Sequence, residues 1–232
     1  TIAPSLTFRF TPKTTLNLAY EYQDLKSNPA SGAILKLNDS NQRIGFVQPD
    51  HYGLPISFNH QGPDAHKNTK TSFASADFQH RFADDRFAIR AVVNKTKTDL
   101  DQDTRVGAGA ERRGSDGLLG WVNVHALDRQ VLRDELAFQG ELTGRFDVGE
   151  TVHRILVGYE KTVFEQDQVA RRQNNVVPRM NLKDPSVWDF TIPVAAENRA
   201  LTPADFFTEQ DTWSFYAVHQ AELFSSRLHT LL

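Results

Sequence analysis

"ELAFQGELTGRFDVGETVHRILVGYEK", Glu135–Lys161, is a run of alternating residues, a turn at Asp-Val-Gly-Glu, and a second run that alternates less strictly. In the first run Leu136, Phe138, Gly140, Leu142, Gly144 and Phe146 share one face. Ala137, Gln139, Glu141, Thr143 and Arg145 share the other. A period of two places alternate side chains on opposite sides of a strand. From Leu136 to Phe146 the apolar face stays apolar, over a length that matches the roughly 9–11 residues a tilted strand needs to cross a bilayer.

The same pattern recurs outward from this hairpin. Leu16, Leu18, Tyr20 and Tyr22 oppose Asn17, Ala19, Glu21 and Gln23, while Leu6, Phe8 and Phe10 oppose Ser5, Thr7 and Arg9. Ala74, Ala76, Phe78 and Phe82 oppose Ser75, Asp77, Gln79 and Arg81. Phe87, Ile89, Ala91 and Val93 oppose Ala88, Arg90 and Asn94. "TWSFYAVHQAEL" follows less cleanly, and His80, His153 and His219 fall on the apolar side. Helical spacing never holds for long; a short helix around "TPADFF" is the one candidate.

Connections are unequal. The turns after Phe10, Phe82, Phe146 and Leu223 are short. The segments from Leu25 to Lys70 and from Gln166 to Asp211 are long and rich in Pro, Asn, Asp and Gly; a medium, Gly-rich one runs from about Asp99 to Gly117. Taking Trp121–Phe146 as one strand, short and long connections alternate, so all short turns lie at one end of an antiparallel sheet. Short turns at one end, long loops at the other and aromatic residues at the interfaces are the pattern of outer-membrane barrels. Three turns begin with Arg-Phe. Phe10, Phe82 and Phe146 then sit where the outward face leaves the hydrocarbon, and Arg9, Arg81 and Arg145 point into a polar lumen.

Composition agrees. Net charge is −3 with 24% charged residues, and no Lys/Arg-rich run marks a nucleic-acid partner. Apolar residues are 39% and mean hydropathy is −0.48, and no stretch reaches the ~20 apolar residues of a membrane helix. That excludes a helical membrane protein, not a barrel, whose strands show lipid only every second side chain. There is no cysteine and one methionine, Met180, so thiolate metal sites, disulfides and cysteine nucleophiles are absent. Both ends of the sequence read as mid-strand, which suggests an internal piece of a longer protein. Alternation alone also fits a soluble β-sandwich with its apolar face inward; the ordered connections favour the membrane barrel.

Five segments in order resemble TonB-dependent ferric-siderophore receptors: "TIAPSLTFRFTPKTTLNLAYEYQD", "HYGLPISF", "GELTGRFDVGETVHRILVGYEKT", "MNLKDPSVWD" and "WSFYAVHQAELFSSRLHTLL". The last departs where the family has Gln-Asp after the tyrosine: Val218 and His219 stand in the matching places after Tyr216. The resemblance implies an outer-membrane location, uptake energised through TonB, a plug domain and a barrel of about 22 strands. Residues 1–232 would be an arc of seven strands and the start of an eighth, with the plug and remaining strands outside it.

The resemblance also implies a ferric siderophore as transported ligand, with no resident cofactor. It implies capture by aromatic and basic side chains at the outer mouth. Tyr52 and Trp188 in the long loops and Trp121 high on its strand are the candidates, since flat anionic chelates suit stacking and charge-assisted hydrogen bonds. Each suits anchoring its own loop better. Arg81, Arg90, Glu141 and Arg145 would face the lumen and meet the plug, and Trp213 would join Phe10, Phe82 and Phe146 in the interface girdles next to lipid. His51, His60 and His66, with Asp50 and Asp64, share one loop but match no tight chelating spacing and read as solvated. No nucleophile elbow, carboxylate pair or phosphate cradle marks an enzyme. A receptor for haem, cobalamin or a glycan, and a soluble or surface β-sheet adhesin or carbohydrate-binding protein, are the rival readings.

Overall fold

The computed structural model describes residues 1–27, 35–47, 52–53, 65–107, 113, 117–184, 199–201, 205–223 and 228–231. Apart from single-turn pieces it is all strand. One antiparallel sheet holds, in spatial order, β1 (Ser5–Thr11), β2 (Thr14–Ser27), β5 (His66–Phe82), β6 (Phe87–Gly107), β7 (Trp121–Val148), β8 (Thr151–Asn181), β10 (Phe206–Leu223) and β11 (Leu228–Leu231). The two-residue β9 (Ala200–Leu201) pairs with β8 above the end of β10. β3 (Leu35–Leu37) and β4 (Arg43–Phe46) form a separate small hairpin between β2 and β5. Strand order follows chain order throughout, the up-and-down pattern expected, and β11 is the short start of the eighth strand.

Tight turns do close one end. Gly149 turns the β7–β8 hairpin at φ 61, a conformation that costs glycine little. Between β5 and β6, Ala83, Asp84 and Asp85 all hold positive φ, and Arg86 N–H donates to the Ala83 carbonyl at 3.1 Å. Two aspartates suit this stretch, because Asp tolerates the left-handed region better than most residues.

The register fixes the two faces. One row runs Leu18, Ala76, Val93, Phe138, Lys161, Trp213 across β2, β5, β6, β7, β8 and β10. A neighbouring row of opposite parity runs Thr15, Gln79, Arg90, Glu141, Gly158, Tyr216. No second layer covers the apolar face among the described residues, where every substantial strand–strand contact is between register neighbours. Phe138 is 38% exposed, Trp213 65% and Phe215 71%. A sandwich would bury these side chains; here they need another apolar medium. A buried apolar cluster, Val122 and Leu182 with Val47 and Tyr52 against it, lies at the long-loop end.

Strands reach further than alternation alone suggests. β8 continues to Asn181, β6 to Gly107, and β5 starts at His66, inside segments read from sequence as connections. The reason is chemical. Above the apolar belt both faces carry charged and amide side chains, so hydrophobic periodicity vanishes while the ladder runs on. Phe206 and Phe207 open β10, so the helix considered around "TPADFF" is replaced by strand at those two residues.

Candidate functional site

Midway along the polar face five side chains interlock. Arg90 forks onto Asp77, its Nη2 3.0 Å from Oδ2 and its Nε 3.2 Å from Oδ1. Its Nη1 lies 4.0 Å from Glu141 Oε2. Tyr216 OH donates to Glu141 Oε1 at 2.8 Å, and Gln139 Nε2 donates to the same oxygen at 3.2 Å. Gly158 makes this possible: a Cβ there would stand 2.1 Å from Tyr216 Cζ, so the ring lies across the bare backbone of β8 and reaches β7. Arg90 and Glu141 were singled out from sequence. Asp77, Gln139 and Tyr216 were not, although their parity on neighbouring strands was the available signal.

Arg81 donates to the Pro12 carbonyl at 3.1 Å and lies 3.9 Å from Asp85, at the β5–β6 turn. Arg145 is exposed on the polar face, and its backbone N–H donates to the Arg86 carbonyl at 2.7 Å. These four residues thus share one parity, but only Arg90 and Glu141 come together.

Higher on the same parity lie Arg129, Arg133, Arg172 and His125. Arg129 Nη2 donates to Gln102 Oε1 at 3.0 Å, while its Nε is buried with no hydrogen-bond partner among the described residues. Arg133 Nε donates to Gln166 Oε1 at 2.7 Å. Burial and the charge of Arg172 hold the His125 imidazole below its ordinary pKa. This stretch of wall is cationic and amide-rich, chemistry that suits an anionic, oxygen-rich ligand.

At the top, Trp121 opens β7, and Tyr52 packs on Val122 and Leu182 with Lys36 Nζ 5.2 Å from its ring centroid. Tyr52 and Trp121 therefore reach the same end of the sheet, and Tyr52 anchors its loop there. Trp188, His51, His60, Asp50 and Asp64 lie outside the described residues. His66 sits on β5 with Nε2 3.4 Å from Asp101, and no group of three or more His, Asp or Glu converges on a metal position among the described residues.

On the apolar face the aromatic residues mark the ends of the belt. Phe82 stacks between His80 and Phe87 at ring separations of 5.9 and 5.6 Å. Phe146 stacks on His153 at 5.2 Å, and Phe10 on Phe8 at 6.1 Å. Trp213 meets Phe215 edge-on at 5.6 Å toward the other end. The histidines are satisfied rather than orphaned. Thr14 Oγ1 lies 2.8 Å from His80 Nδ1, and His153 Nδ1 lies 3.0 Å from His219 Nε2.

No family model and no curated protein matches the sequence. Solved structures do match. The ferric-catecholate import receptor Fiu from E. coli K12, in its open form, superposes with a TM-score of 0.69 at 20% identity, over 96% of this chain and 34% of that one. BauA, the ferric preacinetobactin receptor from Acinetobacter baumannii, gives 0.71 at 13% identity, over 98% and 31%. The ferripyoverdine receptor of the Pseudomonas aeruginosa outer membrane, bound to ferripyoverdine, gives 0.66 at 16% identity, over 94% and 27%. The chain has the fold of the barrel wall of these siderophore receptors, and it spans about a third of their length.

Proposed function

We propose that the chain is part of an outer-membrane receptor for TonB-energised uptake of ferric siderophores. One observation supports this most: a main sheet, two-faced from β2 to β10, whose apolar side is left uncovered among the described residues while the other carries an ion-paired and amide-rich surface. Apolar side chains would meet lipid, and the polar face would line the passage. Arg90, Glu141, Asp77 and Tyr216 then form the wall against which a plug rests, with Arg81 and Arg145 nearer the periplasmic turns. Arg129, Arg133 and Arg172 would attract the anionic chelate on its way in, and Tyr52, Trp121 and Trp188 would lie at the mouth. The ferric ion arrives wrapped in its ligand, so these residues bind and orient and perform no covalent step.

The test uses the complete gene in cells lacking their other iron receptors. Uptake of radiolabelled iron from defined ferric siderophores is expected, abolished when TonB is deleted and weakened by Arg129→Ala with Arg133→Ala. Growth on haem, cobalamin or a glycan with no siderophore uptake would overturn the ligand class. A chain that remains in aqueous solution without detergent would overturn the membrane reading and favour the adhesin.

A further inference from the structure

Charge is sorted by height on the polar face. From the register row of Arg133 upward, that face carries Arg133, Arg129, Lys67 and Arg172, and no Asp or Glu among the described residues. The rows of Glu135, Ala137 and Gln139, directly beneath, reverse the sign. They carry Glu21, Glu135, Asp77 and Glu160, and no Lys or Arg. The boundary falls between Arg133 and Glu135, successive residues on one face of β7 and about 7 Å apart along the strand. Neither side of this step is cancelled from within. Arg133 and Arg129 are braced by the amide oxygens of Gln166 and Gln102 at 2.7 and 3.0 Å, and a neutral amide orients a guanidinium while leaving its charge in place. Below, Asp77 is paired with Arg90 from the next row down, but Glu21, Glu135 and Glu160 join no ion pair among the described residues. Glu135 lines a cavity of about 300 Å³ with Thr162, Phe164, Gln210 and Thr212, so it borders open space on this face.

An anionic ligand that moves down by one such row exchanges the attraction of Arg133 for the repulsion of Glu135. Both act within about one Debye length, so salt screens them only in part. A neutral ligand feels neither, and a cationic one meets the opposite order. We propose that this charge step determines specificity: Glu135, backed by Glu160 and Glu21, closes the chelate site from below, and the site takes ferric chelates of net negative charge, held on the rows from Arg133 upward. This rests on the reading that the polar face lines the passage of a ferric siderophore. It adds the charge class of the chelate and a role for carboxylates that do not touch it.

Binding titrations of the complete protein in detergent, followed by tryptophan fluorescence at low salt, test it with two classes of probe: trianionic ferric tris-catecholates and neutral ferric tris-hydroxamates. A trianion should bind the more tightly. Glu135→Gln with Glu160→Gln should tighten the trianion by a further factor of about five, the weight of removing two like charges near one Debye length, and should leave any neutral chelate unchanged. The gain should vanish in about 1 M salt, where the Debye length is about 3 Å. A merely structural role for these carboxylates would not strengthen binding of one charge class alone. A neutral chelate bound as tightly as the trianion, or a trianion bound no more tightly by the double Gln variant, overturns the charge step and leaves the siderophore reading standing. A protein that binds neither class of chelate overturns that reading as well.

Discussion

Tyr216 lies flat across Gly158 on the neighbouring strand and hydrogen-bonds through its hydroxyl to Glu141, two strands from its own backbone, at 2.8 Å. An aromatic ring covering a strand glycine offsets the exposed backbone and ties three strands together. Gly158→Ala would place a Cβ inside the ring, so the tyrosine must leave and its hydroxyl must lose Glu141. The expected loss is about 1–3 kcal/mol from overpacking. Tyr216→Phe keeps the ring and should lose only the hydroxyl's hydrogen bond to Glu141, a smaller loss than Gly158→Ala causes. Combined with Tyr216→Ala, the Gly158→Ala change should cost far less than it does alone, because the clash is gone. Additive losses in urea titrations of the reconstituted protein would show that the two residues do not bear on each other.

Adjacent residues on β7 test whether the apolar side meets lipid. Leu142 lies in the middle of the apolar belt, and Thr143 points the other way. Leu142→Arg should lower folding stability in vesicles by about 2–4 kcal/mol, the depth-dependent cost of a cation near the bilayer midplane. Thr143→Arg should leave it within about 0.5 kcal/mol, as expected of a hydrated surface position. Equal costs at the two positions would mean that both faces meet the same environment.

How far the sequence could be read depended on whether hydrophobicity followed the backbone. From Leu136 to Phe146 it does, and strand, facing and belt limits were all visible there. Above Leu136 it does not. Lys97, Asp134 and Glu165 occupy the face of Leu136 while Arg133 and Gln166 occupy the other, so period two persists in geometry but not in polarity, and β8 from Gln166 to Asn181 reads as loop. Arg90 and Glu141 could be assigned by parity. Their junction with Asp77 and Tyr216 could not, because it depends on register between strands far apart in sequence, and on a glycine whose role appears only when the ring lying on it is seen.

Arg199 is a clip. Its side chain is 2% exposed, with Nη1 3.0 Å from Asp103 Oδ1 and Nη2 3.3 Å from Oδ2, so the segment before β10 is held across β8 and β7 to β6. Arg199→Ala should raise amide exchange in residues 199–201 and upper β8 by tenfold or more while leaving the belt unchanged. Arg199→Lys should restore only part of the protection, since an ammonium cannot reproduce the guanidinium fork. Unchanged exchange in both variants would show that β9 pairing alone holds the segment.

The same region should give the protein a pH dependence of two parts. Burial, and then the charge of Asp103, raise the Asp128 carboxyl above its ordinary 3.8, against the pull of Arg199 and Arg171. The folded state therefore binds this proton more tightly than the unfolded one. Asp128 contributes stability that is fully present at low pH and lost as pH rises through its folded value. His125 behaves differently: burial, then Arg172, lower it from 6.5. The neutral ring is favoured in the fold, so its contribution is present above 6.5 and is lost as pH falls through that value toward the folded one. Asp128→Asn should thus gain on the parent as pH rises toward neutrality, with the gap closing in acid. His125→Gln should flatten the loss of stability on the acid side of 6.5. Unfolding midpoints in detergent between about pH 3 and pH 8 separate the two. An Asp128→Asn variant that loses ground as pH rises would show that Arg171 and Arg199 outweigh the burial of the carboxylate.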